Sequence, residues 1–340
     1  MAERRSRWLR SFFLLLILGT VIGGLLAWQH YQRFLATPLE LPARGMVLEV
    51  PEGSSVARLA LELERKGVLS DARLLRLHAR LNPDLARIKA GEYQLSRGMT
   101  PGGLLALLVS GKGVEYSITF PEGWTFRQWR ALISRHPALI HTIDGLTDAA
   151  VMERLGHPGM HPEGRFFPDT YRFPRGSTDV QLLARAWQRM EKELSDAWQA
   201  RVEDLPLKTP YEALILASII EKETGVPEER RQIAGVFVRR LKKGMKLQTD
   251  PTVIYGMGET YQGNIRRRDL KKETPYNTYV HAGLPPTPIC MPGRESLRAA
   301  VNPAPGKALY FVARGDGSHQ FSATLREHNR AVRKYQLKRK

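Results

Sequence analysis

The chain has 340 residues, 42% hydrophobic and 25% charged, and its 52 Lys+Arg against 34 Asp+Glu leave a net charge of +18. That length suits about two domains, and that balance argues for packed globular units rather than disorder or collagen-like repeats. The single cysteine, Cys290, excludes an internal disulfide and a Cys-rich zinc site.

Taken in chain order, the first segment is the most distinct. Arg4, Arg5, Arg7 and Arg10, with Glu3, put +3 ahead of an uncharged stretch over residues 11–32 whose apolar heart runs from Phe12 to Trp28. About 20 such residues span a hydrocarbon layer. Only Arg33 follows closely, so the positive-inside rule predicts a cytoplasmic tip over 1–10, an anchor over 11–32 and export of the remainder. A cleaved signal peptide is the competing reading, but the run is long for one and no A-x-A site follows Trp28. Trp28 and Tyr31 are expected at the outer interface. Setting aside that +3 leaves +15 of the total on the exported part. An anchored, exported chain seldom meets nucleic acid, so no nucleic-acid partner is expected. An anionic envelope polymer or lipid headgroup fits the charge better, and a merely solvated basic surface fits it too.

Residues 33–45, with Pro38 and Pro42, read as a linker. Over 46–112 the pattern predicts a strand at Met46–Val50, a turn through Pro51, Glu52 and Gly53, and a helix capped by Ser54 that stops at Gly67. A second helix from Ser70 or Asp71 to Asn82-Pro83, a short strand over Gly91–Leu95 and a helix from Thr100-Pro101 to Val109 complete a small βααβ unit. Its turn, Pro51-Glu52-Gly53-Ser54-Ser55-Val56, with Asn82-Pro83 and the Ile88–Leu95 return, resembles a LysM-like module, a peptidoglycan-binding fold. A small structural spacer is the alternative.

Residues 113–340 read as a larger α+β domain. Val114–Phe120 alternates as a half-buried strand, Pro121-Glu122-Gly123 turns it into a helix from Thr125, and residues 163–173 form an aromatic loop or strand pair. A long helix over Val180–Ala200 has a charged, solvated face. Thr209-Pro210-Tyr211-Glu212 supplies a capping box and a proline at the first helical position. The next helix, Leu214 to Ile220, has almost no polar face and is therefore buried. Its last turn carries Glu221 on the face of Leu214, Ala217 and Ser218. Desolvation there disfavours the anion and raises the pKa, as a general acid for a glycosidic oxygen requires. The bland alternative is an ion pair between Glu221 and Arg230 or Arg231. Glu223, about 200° further round, is expected to point elsewhere.

A further helix from Pro227 ends near Gly244. Asp250-Pro251 then reads as a cap and first helical residue, and Gln248, Thr249 and Tyr255 offer neutral groups for sugar hydroxyls and amides. Tyr276-Asn277-Thr278-Tyr279, followed by a proline-stiffened loop from Gly283 to Ile289, reads as the wall of a groove for an extended polymer.

The run Ala217-Ser218-Ile219-Ile220-Glu221-Lys222-Glu223-Thr224, with Leu247–Gly256 and Tyr276–Pro286 in that order, resembles the YceG-like family, the endolytic murein transglycosylases. That resemblance implies a single anchor, a LysM-like part and a catalytic domain, with the first glutamate of the Glu-Lys-Glu-Thr motif, Glu221, as the catalytic group. It implies cleavage of the MurNAc–GlcNAc β-1,4 bond within a glycan strand by one carboxyl acting as acid and then base, closing a 1,6-anhydro ring. Gln248, Thr249, Asp250, Tyr255, Tyr276, Asn277, Thr278 and Glu163 are the expected substrate-binding residues. Asp250 or Glu163 as a second carboxylate would give a muramidase, a hydrolase, instead. A non-enzymatic peptidoglycan-binding scaffold is the rival of another class. The partners implied are glycan strands, the membrane through the anchor, and peptidoglycan synthases of the penicillin-binding type. No cofactor is expected. His157 and His161 are separated by Pro158 and Gly159 and do not make a helical zinc site, so no metal is expected either.

Overall fold

A computed structural model of the chain describes residues 2–337. Met1 of the expected tip and residues 338–340 of the expected catalytic domain lie outside the described residues. The chain divides into two compact units: residues up to Tyr116 together with Pro174–Gly176, and residues Ser117–Phe173 together with those from Ser177 onward. The fold is α+β, with the strands of the described residues paired two by two.

In the first unit, helix α1 (Ala2–Ala36) contains one segment, Phe12–Ala36, long and apolar enough to cross a membrane, with a mean hydropathy of 2.1. The helix runs past the expected end of the anchor. Tyr31 and Phe34 are buried, and the Tyr31 hydroxyl lies 2.7 Å from Nδ1 of His78. Tyr31 therefore packs on protein rather than facing an interface, while Trp28 stays exposed. The stretch expected as a free linker is likewise docked: Leu39 is buried, its N–H donates to the Met99 carbonyl, and that of Glu40 to Val68. The physical reason is apolar content, since Phe34, Leu39 and Leu41 all join the core of this unit.

That core lies under β1 (Met46–Val50), α2 (Val56–Arg65), α3 (Ala72–Leu81), β2 (Gly91–Leu95) and α4 (Pro101–Ser110), with β1 and β2 antiparallel, Met46 opposite Leu95. Ser55, one residue after the expected cap, accepts from the Arg58 N–H to start α2, and Gly67, at φ +71°, turns the chain out of it. Asp71 caps α3 through the N–H groups of Arg73 and Leu74.

Strand β3 (Glu115–Thr119), whose residues from Ser117 belong to the second unit, leads through Pro121-Glu122-Gly123 into α5 (Phe126–Ile133), whose Thr125 and Gln128 complete a capping box. After α6 (Asp148–Arg154), β4 (Thr170–Pro174) pairs with β3. Then come α7 (Asp179–Gln199), α8 (Pro210–Glu223), α9 (Arg230–Lys242), α10 (Asp250–Met257) and α11 (Arg294–Val301). A hairpin of β5 (Tyr310–Ala313) and β6 (His319–Ser322) precedes α12 (Leu325–Val332). Helix α8 is the axis of the core: every residue from Ala213 to Ile220 is buried, against α7, α9 and α11. Thr209 caps it as expected, but the Glu212 carboxylate reaches back to the Lys208 N–H rather than to that of Thr209.

Candidate active site

Helix α8 ends in Glu221-Lys222-Glu223, and at 100° per residue its two carboxylates leave on different sides. The Glu221 side chain is only 7% exposed. Its Oε2 accepts the Gly293 N–H at 3.0 Å, and its Oε1 lies 3.8 Å from the Arg230 guanidinium. Gly293 is the N-cap of α11, where a carboxylate also meets the positive end of the helix dipole. A Cβ at 293 would fall 1.8 Å from Oε1 of Glu122, so glycine is what allows that carboxyl to close in. Desolvation, and then Glu221, push the Glu122 carboxyl above its ordinary range, with Arg230 opposing. Glu221 is thus enclosed and partnered on both oxygens.

Glu223 faces elsewhere, as the helix phase requires, and it faces an opening. Its carboxyl borders a cavity of about 400 Å³ shared with Gln248, Asp250, Tyr279, Tyr310 and His328. The Thr249 hydroxyl donates to Glu223 Oε1. Burial pushes this carboxyl up to about 7, aided by Asp250 and opposed by the Thr249 bond and His319. Such a group is partly protonated at neutral pH and can give its proton away, which is what acid catalysis demands.

The turn between α9 and α10 builds the floor. Arg240, 6% exposed, donates to the carbonyls of Lys246, Leu247 and Leu309 and to Oε1 of Gln248, at 2.7–3.2 Å. Its guanidinium also lies 5.0 Å from the centre of the Tyr310 ring, on which His328 stacks at 5.2 Å. Gln248 is held at φ +52°, the one non-glycine residue with positive φ among those described. Strain of this kind persists where the surroundings fix it, and often at functional sites. The N-cap position of α10 belongs to Thr249, one residue before the expected Asp250, and the Thr249 hydroxyl serves Glu223 instead of the helix. Asp250 opens the helix and accepts the Tyr279 hydroxyl at 2.6 Å.

The remaining expected residues fall into two groups. Thr278 and Asn277 are buried and brace the turn: Thr278 Oγ1 accepts the Thr249 N–H, and the Asn277 amide donates to the carbonyls of Asp269 and Lys272 while its oxygen takes the Tyr279 N–H. Neither has a free face for a sugar. Glu163, 4% exposed, accepts the Phe126 N–H at 3.0 Å and the Tyr255 hydroxyl at 3.1 Å, and burial pushes it up to about 7. The Tyr255 ring packs edge-on against Tyr276, whose hydroxyl lies 2.9 Å from that of Thr287. Arg240, Tyr310, His328 and Glu122 had no assigned role in the sequence reading. Arg240 could have been suspected, as a cation following the apolar run Ile233–Val238, whereas Tyr310 and His328 carry no local signal. Among the described residues no three His, Cys, Asp or Glu side chains converge as a metal set.

The YceG-like family model matches residues 48–334 of the chain. The endolytic murein transglycosylase of Bacillus subtilis is 31% identical over 333 residues, covering 93% of this chain and 91% of the relative. That of Streptococcus pneumoniae strain D39 is 27% identical over 364 residues, covering 95% of this chain and 64% of the relative. The 2.6 Å crystal structure of a YceG-like protein from Listeria monocytogenes, 31% identical, superposes with a TM-score of 0.53 over 85% of this chain and 99% of its own.

Proposed function

This chain belongs to the YceG-like family, and on that premise we propose that it is a membrane-anchored endolytic murein transglycosylase with Glu223 as its proton carrier. It cuts the MurNAc–GlcNAc β-1,4 bond within glycan strands and leaves 1,6-anhydroMurNAc ends. The observation that carries this reading is a carboxyl held near neutrality at the edge of a cavity lined by hydrogen-bonding and aromatic side chains. Protonated Glu223 donates to the leaving oxygen as the bond to the anomeric carbon breaks. The resulting carboxylate takes the proton of the 6-hydroxyl of the same sugar, whose oxygen closes the anhydro ring, so no water is consumed. The Thr249 hydroxyl stabilises the carboxylate between the two transfers. Gln248 and Tyr279 orient hydroxyl and acetamido groups. Glu221, which the family resemblance favours from sequence as the catalytic group, accepts the Gly293 N–H and lies 3.8 Å from Arg230.

A second reading has its own observation: Asp250 borders the same cavity as Glu223. With Asp250 activating a water, the outcome would be hydrolysis and reducing ends. The wider role follows from the rest of the chain. Helix α1 anchors it with residues 1–10 in the cytoplasm, the small unit binds glycan as a LysM-like module does, and cutting beside peptidoglycan synthases ends nascent strands.

Glu223→Gln and Glu221→Gln, assayed separately on purified glycan strands by mass spectrometry, test the assignment. Glu223→Gln is expected to abolish anhydro products while strand binding persists, and Glu221→Gln to keep measurable cleavage with lowered thermal stability. The reverse pattern would return the chemistry to Glu221. Reducing ends from the wild type, lost in Asp250→Asn, would establish the hydrolase.

A further inference from the structure

The cleavage chemistry uses the start of α10 and leaves its other end unexplained. Beyond it the sequence runs Arg266-Arg267-Arg268-Asp269-Leu270-Lys271-Lys272, five cations and one acid in seven residues. Crowding like charges is unfavourable even in water. A flexible loop would let them spread. This one is fixed: the Asp269 carboxylate accepts the Arg266 N–H at 2.8 Å, and the Asn277 amide donates to the Lys272 carbonyl at 2.7 Å and the Asp269 carbonyl at 3.2 Å. Arg268 lies 3.8 Å from Asp269, whereas among the described residues the side chains of Arg266, Arg267, Lys271 and Lys272 have no hydrogen-bond or ion-pair partner. Arg266, Arg268, Lys271 and Lys272 border a groove of about 630 Å³, together with the amides of Gln262 and Asn264. The chain thus holds unneutralised cations beside neutral donors on a braced turn, an arrangement suited to planar, bidentate carboxylates.

Two connections tie this groove to the cavity of Glu223. Helix α10 begins at Asp250, on the cavity, and ends at Met257, on the groove. Its eight residues rise about 10 Å, on the scale of one disaccharide repeat. Asn277 grips the basic turn with its amide and positions Tyr279 with its oxygen, so one side chain sets both.

We propose that the Arg266–Lys272 groove binds the carboxylates of the peptides borne by the murein strand and so selects peptide-bearing strands at the cleavage cavity. The inference rests on the murein-cleaving reading above. A strand stripped of its peptides offers only the one lactyl carboxylate of each MurNAc, whereas each peptide carries several carboxylates to match the three free cations, Arg266, Lys271 and Lys272, that border the groove.

The wild type and the variant Arg266→Gln/Lys271→Gln/Lys272→Gln are compared in detergent on strands with intact peptides and on strands stripped of them. At low salt the wild type is expected to show a KM about tenfold lower on peptide-bearing strands, as several exposed charge contacts together supply. The variant is expected to lose that preference and keep wild-type kcat and KM on stripped strands, which also reports that it is folded. Co-sedimentation of both strand types reads the same preference without cleavage. If no strand is cut at all, the cleavage reading fails while the binding comparison still judges the groove. Equal handling of both strand types by the wild type, or a preference surviving in the variant, overturns the proposal. So does a variant that keeps the preference and instead loses binding to phosphatidylglycerol vesicles, which would make the groove a membrane contact.

Discussion

Glu223 is held between opposing influences, and one of them is a single hydroxyl. The Thr249 bond favours its anion, while burial and Asp250 favour its protonated form. Acid catalysis needs the proton, so turnover is expected to be retained below the folded-state pKa of about 7 and lost as pH climbs through it. Thr249→Val removes a bond made to the charged form and so raises that pKa. The alkaline limb of kcat/KM is expected to move upward by about one unit. A limb that stays in place in the variant would show that some other group titrates. At this scale the sequence was legible in part: helical phase separates Glu221 from Glu223 by two residues, and that geometry holds. That Glu221 meets Gly293 and Arg230 while Glu223 borders a cavity beside Gln248 is not revealed by the phase of α8.

Among the elements, the turn from α9 to α10 decides the shape of the site. Its backbone is pinned by Arg240 on one side and Thr278 on the other, with Gln248 at φ +52° between them. A left-handed residue with a Cβ costs roughly 1–2 kcal/mol, and glycine does not carry that cost, although it loses more freedom on folding. Gln248→Gly is therefore expected to leave thermal stability unchanged or raise it by up to about 1 kcal/mol. The same change is expected to lower kcat/KM on glycan strands, because the amide is gone. Loss of stability without loss of activity would mean the strain has no part in the site. Helices α8, α9 and α10 were foreseen from caps, prolines and apolar spacing, which are local signals. The Arg240–Tyr310–His328 stack was not, because it joins a helix to a hairpin and a C-terminal helix far away in sequence.

For the whole molecule, the first unit departs most from the expected layout. The apolar helix was evident from composition, but its continuation to Ala36 and the docking of Leu39 mean that the chain leaves that helix already packed. Tyr31, Phe34 and Leu39 are each buried, and burial of such side chains is worth about 1.5–3 kcal/mol apiece. A chain beginning at Trp28 is expected to keep the thermal stability of this unit, and one beginning at Gly45 to lose at least about 3 kcal/mol of it, as calorimetry would measure. Equal melting of the two would mean that these contacts are marginal.

By itself the sequence determined the α+β class, the one helix among the described residues long and apolar enough to cross a membrane, the buried axis of the second unit and the family resemblance, because periodicity, caps and motif order are properties of neighbouring residues. The tertiary structure alone decided that Glu223 borders a cavity, that Asn277 and Thr278 brace a turn and where unpaired cations gather. Those outcomes depend on what lies across from a side chain, and chain spacing does not encode that.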